Sequence, residues 1–215
     1  MSKTTTPNLD DSQEILLAKV QENWDKVKSL VNHIEDEKVK AGCIALTDHL
    51  YDRMAVCPAS TKLDYIGCFV GGLTWHSLNV LRVMKVLHSS FELEGKVSAD
   101  SMILLGLFHD IGKLGNEEKD YYIPQKSEWH REKLGQLYEV NEGMGNVPVS
   151  VRTMWWLNRF NVPISEQEIA AIHSLTNKNE QISFTPGIGN DPWETFLLQS
   201  AVRGACIRYH GIKNL

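Results

Sequence analysis

The sequence predicts an all-α fold, and three observations support that prediction. Apolar residues recur at the three- and four-residue spacing of a buried helix face over several long segments. Helix start signals, namely serine and aspartate caps and first-turn prolines, recur along the chain. No segment alternates apolar and polar residues for long enough to predict a strand. At 215 residues the chain can bury one sizeable core, so we expect one main domain and an amino-terminal helical pair.

The first 60 residues predict a tail followed by that helical pair. Residues 1–9 are expected to form a mobile tail, and residues 10–60 the amino-terminal helices. Helical spacing of apolar residues predicts helices over residues 10–37 and 39–54, and a loop follows at residues 57–60, where Pro58 disfavours helix. The pair can pack on the core or form a homo-oligomer contact, and the sequence leaves both open.

Residues 61–215 are expected to form the main helical domain. Periodicity and caps predict helices over residues 73–91, 98–110, 130–140 and 149–160, one after the Ser165–Glu168 capping box, and a last one from Asp191-Pro192-Trp193. Residues 116–129 are polar and aromatic without helical spacing, and residues 185–190 are a turn-rich loop. Because Trp155 and Trp156 are adjacent on a helix, one is expected in the core and the other at the surface.

The most informative motif is the His109-Asp110 pair at the end of an apolar run. An aspartate in that position is costly unless it is paired or bound to a metal. A second histidine, His76, begins another apolar segment directly after Gly71-Gly72-Leu73-Thr74-Trp75. Two imidazoles and a carboxylate suit a divalent metal with positions left open for water and substrate, so His76, His109 and Asp110 are the candidate ligands. Lys113 can share a helix side with His109 and Asp110, and a phosphate would need such a cation.

These motifs resemble the HD-domain superfamily of metal-dependent phosphohydrolases, over about residues 67–209. The segment ending in His76 is similar to the family's first element, and His109-Asp110-Ile111-Gly112-Lys113 to its second. The resemblance implies an HD-domain helical bundle that hydrolyses a nucleotide or another small phosphate ester. Asp110 would hold the metal and position the attacking water. Lys113 would offset charge on the phosphate oxygens.

The resemblance also exposes a departure near the end of the chain. The family's last ligand is an aspartate in a Leu-x-x-Ala-Asp segment, and the matching position here is Val202. Gln199 lies one turn earlier and offers only a weak carbonyl ligand. The ligand set of His76, His109 and Asp110 is therefore incomplete relative to the family. Mixed nitrogen and oxygen ligation favours manganese, magnesium or iron over a structural zinc site.

Further residues are candidates for contacting the substrate. Asn79 lies three residues after His76, so it faces either the same cavity or solvent. His130 and Arg131 either reach a substrate phosphate or form the solvated start of a helix. The sequence leaves both interpretations open for each of them.

Composition restricts the class of partner and the compartment. The net charge of −5 and pI of about 5.9 disfavour a nucleic acid polymer, which would be bound mainly through its phosphates. No apolar stretch approaches the length of a membrane span, and the first residues contain no apolar core typical of a signal peptide. The four cysteines form no Cys-x-x-Cys pair, which is typical of ordinary thiols in a reducing compartment. We therefore expect a cytoplasmic protein without a membrane partner.

Two functional hypotheses follow from these residues. The first is a metal-dependent phosphohydrolase acting on a nucleotide or small phosphate ester. The second is a catalytically impaired protein of the same fold, in which Val202 leaves a pocket that binds or sequesters a nucleotide-like ligand without turning it over.

Overall fold

The computed structural model describes residues 11–175 and 191–213, with side chains over residues 16–175 and 191–207. These ranges fold into eight α-helices and one two-stranded antiparallel sheet, which confirms the predicted all-α fold. The helices are α1 Asp11–Asn32, α2 Glu37–Val56, α3 Gly72–Ser90, α4 Ala99–Phe108, α5 Glu128–Leu134, α6 Val149–Arg159, α7 Glu166–Ser174 and α8 Trp193–Lys213. The strands are β1 Tyr122–Pro124 and β2 Tyr138–Val140, and short 3-10 helices cover Ile111–Leu114 and Glu142–Met144.

Helix α4 lies at the centre of the hydrophobic core. All of its residues from Ser101 to Phe108 are buried, which explains why this segment is apolar on every side rather than amphipathic. Helix α3 packs against α4 and α8, and α7 packs against α8. The apolar run that ends in His109 is therefore held on several sides by other helices.

The amino-terminal helices pack on this core. Buried Trp24 and Val27 of α1 belong to the same hydrophobic cluster as α4, and both α1 and α2 contact α3. The predicted helix over residues 10–37 is too long at its carboxyl end, because α1 stops at Asn32. Asp36 accepts hydrogen bonds from the N–H groups of Lys38 and Val39 and so starts a separate helix.

The largest difference from the sequence prediction concerns residues 130–140. We expected one helix there, whereas α5 ends at Leu134 and the chain continues into β2. Gly135 adopts a left-handed conformation with φ of 58° and its N–H bonds to the carbonyl of His130, which terminates α5. β2 then pairs antiparallel with β1, and three-residue strands are too short to show a recognisable alternation.

Other local predictions are confirmed. Trp156 is fully buried and donates from Nε1 to the carbonyl oxygen of Gly115, whereas Trp155 is 41% exposed. Ser165 and Glu168 form the predicted capping box of α7. The predicted tail over residues 1–9 and the predicted loop over residues 185–190 lie outside the described residues.

Candidate metal centre

His76 lies in the first turns of α3, at a point fixed by glycines. The preceding Gly71 has φ of 77°, and a Cβ on Gly72 would overlap the carbonyl oxygen of Gly67. The double glycine therefore lets α3 begin in close contact with the preceding loop. His76 is 2% exposed, and its Nδ1 atom has no hydrogen-bond partner among the described residues.

His109 and Asp110 lie in the turn between α4 and the following 3-10 helix. Nδ1 of His109 lies 3.1 Å from the carbonyl oxygen of Leu105 and 3.3 Å from that of Gly106. Carbonyl oxygens only accept hydrogen bonds, so Nδ1 carries the hydrogen and the lone pair is on Nε2. That Nε2 atom is buried and lacks a partner in the described part of the chain. An imidazole oriented by one nitrogen with the other left free has the arrangement of a metal ligand.

The three predicted ligands converge in space. One ligand atom each from His76, His109 and Asp110 can be chosen so that all three lie within 4.8 Å of one another. Nε2 of His109 lies 3.6 Å from Oδ2 of Asp110, and the two imidazole rings are 5.7 Å apart at their centroids. Atoms bound to one ion at about 2.0–2.2 Å are themselves roughly 3–4 Å apart, so a small rearrangement would complete the coordination. The group is therefore close enough to hold a metal ion.

The protonation states also suit a metal. Burial lowers the pKa of His76 to about 3, and it lowers the pKa of His109 as well, so both imidazoles are neutral near pH 7. Burial alone would raise the pKa of Asp110, but the nearby Lys113 ammonium and the two imidazoles outweigh it and hold that pKa below its usual range. Two neutral imidazoles and one carboxylate are the forms that bind a cation.

Lys113 is the immediate charge partner of this group. Its Nζ atom donates to Oδ2 of Asp110 at 2.7 Å and to the carbonyl oxygen of Ala59 at 3.0 Å. Burial would lower the pKa of Lys113, but the Asp110 carboxylate outweighs burial and raises it. Lys113 therefore contacts Asp110 from within the 3-10 helix rather than from α4.

A cavity of about 270 Å³ opens beside the ligands. His109, Asp110 and Lys113 form one part of its wall, and Ser150 and Val202 border it as well. Val202, which stands at the position of the last aspartate in the family that the motifs resemble, thus borders the same cavity as His109 and Asp110 and is apolar. Gln199, one turn earlier on α8, is buried and its Oε1 atom lacks a partner among the described residues, but it does not border this cavity.

Helix α6 is bound tightly to the turn that carries the ligands. The N–H of Gly112 donates to Oγ1 of Thr153 at 3.0 Å, and Oγ1 of Thr153 donates to the carbonyl oxygen of His109 at 3.1 Å. Arg152 donates from NH1 to the carbonyl oxygen of Gly112. A Cβ on Gly112 would overlap the carbonyl oxygen of Val149. Sequence reasoning missed Thr153 and Ser150, because no spacing links residues about 40 positions apart to the His-Asp pair.

Unlike Lys113, the other three predicted substrate contacts lie away from this cavity. Asn79 donates to the carbonyl oxygen of Trp75, accepts from Arg82, and borders a separate groove of about 520 Å³ between α1 and α3. On α5, Nδ1 of His130 lies 2.7 Å from Oγ of Ser127. Arg131 donates to the carbonyl oxygen of Gln125. None of these three predicted contacts borders the cavity beside His109.

No protein-family model matches the sequence, and searches of curated proteins and of solved structures found no match either. Within the residues that the structure describes, no helix is long and apolar enough to cross a membrane.

Proposed function

We propose that this protein is a metal-dependent phosphohydrolase that acts on a nucleotide or another small phosphate ester. The observation that carries the proposal is that His76, His109 and Asp110 can each offer one ligand atom within 4.8 Å of the others. In addition, Nδ1 of His76 and Nε2 of His109 are buried without a hydrogen-bond partner among the described residues. Buried polar atoms are nearly always hydrogen-bonded, so two unpartnered imidazole nitrogens in a group that includes a carboxylate favour a bound cation. The likeness of the His76 and His109-Asp110 motifs to the HD-domain superfamily adds the reaction class.

Each side chain of the centre has a separate role in this proposal. His76, His109 and Asp110 hold the metal, and their mixed nitrogen and oxygen donors favour manganese, magnesium or iron. When bound, such an ion supplies Lewis acidity toward a phosphoryl oxygen and toward water. The carboxylate of Asp110 also orients the attacking water. Lys113 fixes that carboxylate and adds positive charge where negative charge develops on the phosphate oxygens.

Metal content and phosphate release test the proposal together. Purified full-length protein is expected to carry a divalent ion and, with added manganese, to release phosphate from at least one member of a panel of nucleoside mono- and triphosphates. Asp110→Asn is expected to lose both properties. Asp48→Asn, which changes an exposed carboxylate on α2, is the matched control and should retain both. Absence of bound metal and of phosphate release from the unaltered protein would reject the proposal.

A second candidate function is favoured by Val202. Its side chain borders the cavity beside His109 and cannot ligate a metal. In this second function the protein binds a nucleotide-like ligand in the cavity and does not hydrolyse it. Nucleotides would then raise the melting temperature at stoichiometric concentrations, no phosphate would appear, and His109→Ala would retain the binding.

A further inference from the structure

The first turn of α6 borders the same cavity as the candidate metal ligands. α6 spans Val149–Arg159, and Pro148 occupies its N-cap position. Proline has no polar side chain, so Pro148 provides no side-chain cap. The first N–H groups of the helix have no partner within it. Val149 and Ser150 from this turn line the cavity. The uncapped end of α6 therefore contributes partial positive charge beside the cavity.

Ser150 provides a second and independent observation. The side chain is 2% exposed, yet its Oγ atom has no hydrogen-bond partner among the described residues. Burying a hydroxyl without a partner costs stability, and such groups in a folded protein point to a missing ligand or water. Because Ser150 borders the cavity, its hydroxyl can reach a molecule held there.

Two groups with positive charge border the cavity and can attract an anion. The ammonium of Lys113 borders it, and the start of α6 adds N–H donors. The Asp110 carboxylate is the opposing charge, and it is already paired with Lys113 at 2.7 Å. Thr153 and Gly112 hold α6 against the His109 turn, so the spacing between the ligands and the helix start is fixed.

We propose that Ser150 and the first turn of α6 form the oxyanion-binding subsite of the candidate centre. The Ser150 hydroxyl donates a hydrogen bond to a non-bridging phosphate oxygen, and the N–H groups of the first turn face the same phosphate. The identity of the anion as a substrate phosphate rests on the proposed function, whereas the presence of an anion subsite rests on the cavity itself. Ser150 binds the phosphate in this proposal and takes part in no covalent step.

Inorganic phosphate is the probe for this subsite. Its affinity for the full chain would be measured by calorimetric titration with manganese and, separately, with a chelator. Ser150→Ala is expected to weaken phosphate binding roughly tenfold, because it removes one hydrogen bond to a charged group. Without phosphate, the same change is expected to raise the melting temperature by roughly 2 to 4 °C, because it removes an unpaired buried hydroxyl.

Thr195→Val is the matched control. Oγ1 of Thr195 is also buried and unpartnered within the described ranges, but Thr195 does not border the cavity. This variant should keep the phosphate affinity of the unaltered protein. The subsite is rejected if Ser150→Ala binds phosphate as tightly as the unaltered chain, if it lowers the melting temperature, or if the unaltered chain binds no phosphate. Phosphate binding that depends on Ser150 in a chain that binds no metal would keep the subsite and reject the proposed metal centre.

Discussion

The hydroxyl of Thr153 donates a hydrogen bond to the main-chain carbonyl of His109 at 3.1 Å, across 44 positions of sequence. The same oxygen accepts the N–H of Gly112 at 3.0 Å. One buried side chain thus joins α6 to both sides of the turn that carries two candidate metal ligands. The geometry of the centre therefore depends on a residue that would not itself touch the metal.

Thr153→Val is expected to destabilise the fold and to loosen the centre. The change keeps the shape of the side chain but leaves the Gly112 N–H without its acceptor, at a cost of about 1–3 kcal/mol in the free energy of unfolding. Manganese affinity should fall roughly tenfold or more, as for other residues that orient ligands. Urea unfolding and a manganese titration measure the two effects. Thr153→Ser, which retains the hydroxyl, should keep most of the free energy of unfolding and most of the manganese affinity. An unchanged manganese affinity in Thr153→Val would contradict this role.

Gly112→Ala should be more damaging than most glycine substitutions. A Cβ there would overlap the carbonyl oxygen of Val149, so α6 would have to move away from the ligand turn. We expect a loss of roughly 3 kcal/mol or more in the free energy of unfolding, measured by urea titration. Gly95→Ala is the comparison, since no atom of the described residues lies within 4 Å of its added Cβ and only its φ of 80° is strained. Equal losses in the two variants would show that close packing at Gly112 is unimportant.

Loss of the Asp110 charge is expected to destabilise the metal-free protein through Lys113. Their side chains are only 15% and 21% exposed, so Asp110→Asn leaves the ammonium of Lys113 largely buried without its counter-charge. The free energy of unfolding of the metal-free protein should fall by about 2–4 kcal/mol in urea. The double variant Asp110→Asn, Lys113→Met should regain part of that loss, because no buried charge remains. A double variant that is less stable than Asp110→Asn would show that Lys113 contributes mainly through Ala59 and packing.

Acid should destabilise the metal-free protein partly through His76. The folded pKa of this imidazole is about 3 because of burial, whereas the unfolded value is about 6.5. Between these values the unfolded chain binds more protons, so stability is complete above about pH 6.5 and falls as the pH is lowered. His76 accounts for at most about 1.4 kcal/mol per pH unit of that slope. Urea titrations from pH 7 to pH 4.5 on the unaltered protein and on His76→Gln should show a shallower slope in the variant.

Val202→Asp tests whether the apolar position limits metal binding. The new carboxylate would face the cavity bordered by His109 and Asp110, so the metal-free protein should lose stability through repulsion and burial of charge. Manganese should restore that stability and bind at least roughly tenfold more tightly than to the unaltered chain. Thermal unfolding with and without manganese measures both effects, and Val202→Leu controls for packing. A manganese affinity that stays unchanged in Val202→Asp would show that this side chain cannot reach the ion.

The sequence predicted the helical architecture well where local rules dominate. The capping box at Ser165 and the opposite environments of Trp155 and Trp156 follow from spacing and hydrogen-bonding chemistry along one segment. The prediction over residues 130–140 was wrong because one left-handed glycine, Gly135, ends α5 and lets the chain pair with β1. Strand pairing depends on a distant segment, so local periodicity could not reveal it.

The sequence by itself determined the chemistry of the candidate centre, since His76, His109, Asp110 and Lys113 are recognisable from residue type and from the apolar run that buries the pair. Only the tertiary structure decided which other residues share their cavity. It brought Ser150 to the ligands and placed Asn79 in another groove. The reason is physical. A helix periodicity specifies which face is buried, but the packing of α6 against the ligand turn, and of α8 against α3, α4 and α7, decides which residues that face contacts.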